Sequence, residues 1–187
     1  MKPLLFGLLV LLTVVFNTGC SVSKMHPALH DFGLPVSVLN HKNNQANESA
    51  ITVDAPTWLW DNRLRYRLLY ASPTQVGFYA LDLWIASPPE LFEQLLIASG
   101  KTQNHPLIIR LTDFEQQFDA PDKARVVLHF IVEAYANDDK KKIGTQAFYL
   151  EQSTPTADAA GAVNGFSMLT RQAANKIQVW LAGLPDK

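Results

Sequence analysis

Residues 107–152 read LIIRLTDFEQQFDAPDKARVVLHFIVEAYANDDKKKIGTQAFYLEQ, and their two-residue alternation decides the fold. The stretch predicts three long strands, with Asp119-Ala120-Pro121-Asp122 and the polar run Asn137 to Lys142 as the turns between them. In the middle strand Val126, Leu128, Phe130, Val132 and Ala134 alternate with Val127, His129, Ile131, Glu133 and Tyr135. The first set is wholly apolar and the second is mixed. That pattern belongs to a central strand with one face in the core and one face partly covered.

Helices flank this stretch. Downstream, Val163, Phe166, Thr170, Ala173, Ile177, Leu181 and Leu184 recur at helical spacing, which predicts a helix from about Asp158 to Leu184. Upstream, Ser87 and Glu90 form an S-x-x-E capping box with Pro88 at the first helical position. Leu91, Phe92, Leu95 and Leu96 fall on one face of that helix, and Gly100 suits its end. Before it, Arg65 to Tyr70 and Gln75 to Tyr79 read as strands around Ser72-Pro73-Thr74. Val36 to Leu39 and Ile51 to Val53 read as short strands around a polar loop, His41 to Ala50. The expectation is an α+β domain of two layers, a mainly antiparallel mixed sheet packed against two helices. The strand–helix–strand unit from Val76 through Ile109 is expected to add one parallel pair.

The N-terminus sets the compartment. Lys2 supplies positive charge, Leu4 to Phe16 is an apolar run, and Asn17, Thr18, Gly19 and Cys20 follow. This is a secretory signal, shorter than the roughly 20 apolar residues a membrane span needs. A signal stopping at Gly19-Cys20, with Ser21 after it, is similar to a lipoprotein signal, in which the thiol is acylated and the chain is cut before it. Residues 1–19 are then the signal peptide, 20–30 a lipidated tether and 31–187 a single domain. Asn17 departs from the usual leucine of lipoprotein signals. With a formal net charge of −1 and a single cysteine, the chain carries neither a basic surface for nucleic acid nor an internal disulfide, so its domain must rely on packing.

No motif for a nucleotide, a zinc ion or an activated serine is present. His26 and His30 are four residues apart beside Pro27, a poor metal pair. His129 with Glu133 is a conceivable acid–base pair, and Asp113 with Glu115 a conceivable carboxylate pair on one strand face. Solvated side chains explain both sets more simply, as they do for Lys140-Lys141-Lys142 beside Asp138-Asp139. The chain reads as a non-enzyme with no catalytic, metal or cofactor site. The strongest candidate surface is Trp58, Trp60, Arg63, Arg65 and Arg67, because Trp and Arg dominate binding hot spots. If Arg65 and Arg67 share a solvent face, they suit phosphate in lipid headgroups. Alternatively, the tryptophans pack inward and the arginines are merely solvated.

The order of these elements resembles the ABC-type transport auxiliary lipoproteins, the PqiC/YmbA-like group. The matches are Asp31-Phe32-Gly33, Ile51 to Pro56 with Arg65-Tyr66-Arg67, and YALDLWIASPPELFEQLL at 79–96. LTDFEQQF at 111–118, as L-x-x-F-x-Q-x-F, and the last helix from Met168-Leu169-Thr170 to Trp180-Leu181 complete the set. The resemblance implies a lipoprotein on the periplasmic face of the outer membrane. Its implied role is to dock the periplasmic MCE-type component of an ABC transporter system that moves lipids between membranes. A periplasmic lipid-binding module with a cavity between sheet and helices, or a structural or assembly lipoprotein, is the alternative. A homo-oligomer would suit a docking part.

Overall fold

The computed structural model describes residues 25–33, 51–99, 105–136 and 141–184. The signal, Cys20, the expected strand Val36 to Leu39, the loop His41 to Ala50 and Gly100 lie outside the described residues. In chain order the elements are β1 (Ala28–His30), β2 (Ile51–Asp54), a 3-10 turn (Thr57–Leu59), β3 (Arg63–Leu68) and β4 (Val76–Trp84). Then come α1 (Pro88–Ser99), β5 (Leu107–Ala120), β6 (Lys123–Tyr135), β7 (Lys142–Ser153) and α2 (Ala159–Leu181). The last three residues expected in the tether are thus a strand, held on β4 by backbone pairing and by a 2.9 Å contact between His30 and Asp82.

Among the described residues the strands form one mixed seven-stranded sheet in the order β1-β4-β3-β5-β6-β7, with β2 also on β5. The long strands β5, β6 and β7 pair antiparallel as their alternation requires. One edge of β5 carries two short parallel strands end to end: β2 along residues 107–110 and β3 along 116–118. The expected parallel pairing of β4 with β5 is therefore corrected. β3 and β4 form an antiparallel pair, and β3 occupies the place beside β5. The parallel pairs are instead β2–β5, β3–β5 and β1–β4.

Both helices cover one face of the sheet. Val126, Leu128, Phe130, Val132 and Ala134 are all buried there, together with Phe166, Leu169, Ala173 and Ile177 of α2. At the centre, Phe114 stacks on Phe166 with ring centroids 3.8 Å apart. Trp84 meets Phe32 and Phe166 edge-on at 5.2 Å and 5.8 Å.

The L-x-x-F-x-Q-x-F spacing acquires a physical meaning here. A three-residue step puts two side chains on opposite faces of a regular strand. The β5–β6 register shifts between Leu111 and Asp113, and this bulge resets the phase. Leu111, Phe114, Gln116 and Phe118 all become buried. Gln116, fully enclosed, accepts from the Tyr79 hydroxyl at 2.7 Å and donates to the Asp158 carbonyl at 3.2 Å.

Capping follows the sequence. Glu90 accepts from the Ser87 backbone N–H (2.9 Å) and hydroxyl (2.6 Å), which holds its carboxyl below the ordinary range. Asp158 caps α2 by accepting from Gly161 N–H at 2.8 Å. Gly33 has φ +65°, the left-handed region that favours glycine. This turn carries Phe32 into the core, where α2 grips it: Ser167 donates to the Phe32 carbonyl (3.0 Å) and Arg171 to the Gly33 carbonyl (2.8 Å).

Candidate functional site

The face of the sheet away from the helices holds the expected site residues. After the 3-10 turn the chain enters β3, whose alternation sends Tyr66 inward against Tyr79 and Phe118. Arg65 and Arg67 therefore share the opposite face, and both line a groove of about 350 Å³ with Trp58, Leu59, Asp113 and Glu115. The groove lies where the edge of β5 passes between the end of β2 and the pairing of β3.

The arginines are not free in solvent. Arg67 makes a two-pronged pair with Glu115 (2.9 and 3.0 Å) and donates to the Pro73 carbonyl at 3.0 Å. Its bond to Glu115 raises its pKa above the ordinary arginine value. Arg65 is 8% exposed and donates to Asp61 at 3.1 Å. Burial pulls its pKa down, and Asp61 opposes that only in part. Arg63 pairs with the same Asp61 oxygen at 2.6 Å and lies over the Phe78 ring, 3.7 Å from its centroid. Burial by itself raises the Asp61 carboxyl, but the hydrogen bonds from Arg63 and the charges of Arg65 and Arg63 outweigh it and hold it below the usual range. A phosphate entering this groove must compete with Asp61 and Glu115 for the guanidinium groups.

The tryptophans point outward. Trp58 is 59% and Trp60 45% exposed, and the Trp60 indole N–H donates to the Ala55 carbonyl at 2.9 Å. The tryptophans are thus surface, not packed inward, and the arginines are neither free for a phosphate nor merely solvated, because Asp61 and Glu115 neutralise them in place. Asp113 and Glu115 do share a face, but each has its own partner. His129 sits 3.3 Å from Asp113 across the strand pair and not beside Glu133, which takes Lys142 (2.7 Å) and Tyr135 (2.9 Å). The space between sheet and helices, where a lipid cavity was the alternative, contains the packed rings of Phe32, Trp84, Phe114 and Phe166.

A second groove, about 730 Å³, lies at the far end of the sheet between β7 and α2. Phe148, Leu150, Gln172, Lys176, Val179 and Trp180 line it. Among the described residues β7 is the terminal strand. Ile143 to Leu150 contains neither charge nor proline. Edge strands are ordinarily protected by such residues. The sequence reading did not single this edge out; the uncharged run between Lys142 and Glu151 was its signal. No helix among the described residues is long and apolar enough to cross a membrane.

No family model matches the chain, and no curated protein matches it. Solved structures do share its architecture. A Xanthomonas campestris protein of the DUF330 family superposes with a TM-score of 0.62 at 13% identity, covering 70% of this chain and 80% of its own. An uncharacterised protein superposes with a TM-score of 0.55 at 16% identity, covering 70% of this chain and 88% of its own. At such identities the likeness is one of fold.

Proposed function

We propose that this chain is a non-catalytic envelope lipoprotein of the DUF330, PqiC/YmbA-like kind. In this reading it is acylated at Cys20, lies at the periplasmic face of the outer membrane, and docks the periplasmic component of an ABC/MCE-type lipid transport system. One conjunction carries the reading: a secretory signal ending at Gly19-Cys20 precedes a domain with the fold of a DUF330 protein. Acyl chains on Cys20 bury methylenes at about 0.8 kcal/mol each, so two or three chains make detachment negligible.

The geometry supports docking over catalysis. The acidic side chains of the first groove pair with arginine or histidine, and the second groove flanks β7, the terminal strand among the described residues. An extended segment of a partner can add to such an edge through main-chain hydrogen bonds. Crosslinking in cells followed by affinity capture tests the reading. Recovery of an MCE-type protein or an ABC transporter subunit is the expected result; capture of neither counts against it. Cys20→Ala is expected to yield a folded protein that no longer fractionates with the outer membrane.

A further inference from the structure

The end of the sheet opposite β7 carries an apolar face that the docking role does not use. Residues directly paired in neighbouring strands show their side chains on the same face. β1 and β4 pair Leu29 with Leu83 and His30 with Trp84. Trp84 is turned into the core at 1% exposure, so Leu29 and Leu83 lie on the outer face; Leu81 falls in the stretch where the β3–β4 register shifts and is exposed. Ile85 continues the row, its N–H donating to the His30 carbonyl at 2.8 Å. Leu29 is 59%, Leu81 42% and Ile85 61% exposed. Toward β5–β7 the same face carries Asp113, Glu115, Gln117, Arg125 and Glu151, joined by ion pairs and hydrogen bonds. Exposed apolar side chains elsewhere on this face, Ile108 and Tyr149, stand apart from one another, whereas Leu29, Leu83 and Ile85 gather where the tether enters.

The tether identifies what this corner meets. Eight residue steps separate Cys20 from Ala28. At about 3.5 Å each they span at most ~28 Å, whatever path they take. Strand spacings of about 4.8 Å, five of them, put β7 roughly 24 Å from β1. A bilayer is the apolar partner that the chain itself holds within reach of Leu29. The geometry points to Leu29, Leu81, Leu83 and Ile85 as a face that rests in the lipid surface to which Cys20 is attached. This inference rests on the acylation of Cys20 proposed above. It orients the molecule: the β1 corner sits on the membrane, and β7, the terminal strand among the described residues, lies five strand spacings away across the sheet.

Cys20 is the only cysteine, and acylation consumes its thiol, so one introduced cysteine accepts a single environment-sensitive fluorophore. Leu81→Cys, Ile85→Cys and, as a third site, Leu29→Cys are labelled in the acylated mature protein. Val179→Cys beside the β7 edge, a position 76% exposed, is the control. Each protein is placed in phosphatidylethanolamine–phosphatidylglycerol vesicles containing a nitroxide-tagged lipid. Labels at 81, 85 and 29 are expected to lose emission to the quencher while the label at 179 keeps it. Unquenched labels at the corner, or equal quenching at 179, overturn the inference. So does a corner label already shielded without vesicles, which means that another part of the chain or a second copy covers the row. The mass of the same protein separates the two levels. An unmodified Cys20 sinks the lipoprotein reading as well, whereas acylated protein with unquenched corner labels sinks the lipid-facing row alone.

Discussion

The two faces of one sheet are built from the same strands and obey different rules. The helix-facing side is aromatic and aliphatic, and Gln116 is the polar side chain fully enclosed on it, with its hydrogen bonds made to Tyr79 and Asp158. The outer side is a surface of paired charges in its middle, with an apolar row at the β1 corner and exposed tryptophans beside the first groove. The inner face gains from exact volume and from satisfied polar groups, because its interior is close-packed. The outer face keeps its charges in pairs, half-exposed at Arg125–Glu151 and nearly enclosed at Arg65 and Glu115; the exposed pairs contribute little to stability. Stability is thus concentrated on one side, leaving the other to make contacts.

Substitutions on the two faces can break or sharpen that contrast. Phe166→Ala removes a ring stacked in the aromatic centre and is expected to cost about 3–5 kcal/mol in urea unfolding. Gln116→Leu keeps volume but leaves the Tyr79 hydroxyl and the Asp158 carbonyl without their partner. It should cost about 1–3 kcal/mol, and adding Tyr79→Phe should restore part of that loss. Gly33→Ala forces a side chain into the left-handed region and should cost about 1 kcal/mol by the same measurement. On the outer face, Glu151→Gln weakens its half-exposed pair with Arg125 and is expected to cost less than about 1 kcal/mol. If it costs as much as Phe166→Ala, the division between the faces fails.

The smallest effect is a pH dependence. The Asp158 carboxyl lies below its ordinary value because the Thr156 hydroxyl, and then the Gly161 N–H, bond to its charged form. A depressed folded-state pKa contributes stability above the unfolded pKa, and that contribution is lost as pH falls through the folded value. Thermal midpoints should therefore decline below about pH 4. Asp158→Asn, still a capable cap, should flatten part of that decline. An unchanged acid limb would mean that the cap's charge carries no stability.

The sequence disclosed what is local. The Ser87–Glu90 box, the Asp158 start of α2 and the alternation of Val126 through Ala134 follow from spacing alone, and each appears in the structure. What depended on long-range pairing was not readable. Nothing near β4 announces that β3 separates it from β5. Arg67 finds Glu115 only because β3 docks beside β5, 48 residues away in sequence. His129 seemed close to Glu133 along the chain, yet strand register gives it Asp113. The apolar row at the β1 corner likewise needs the Leu29–Leu83 pairing, which a three-residue strand does not advertise. Exposure of Trp58 and Trp60 could not be told from burial, since a tryptophan-rich stretch suits a core as well as a surface.

The most direct test of the account is the mass of the mature N-terminal peptide from cells. The account predicts a chain that begins at Cys20, with a glyceryl thioether and acyl chains on that residue. A free thiol at Cys20, or a chain cut elsewhere, would contradict it.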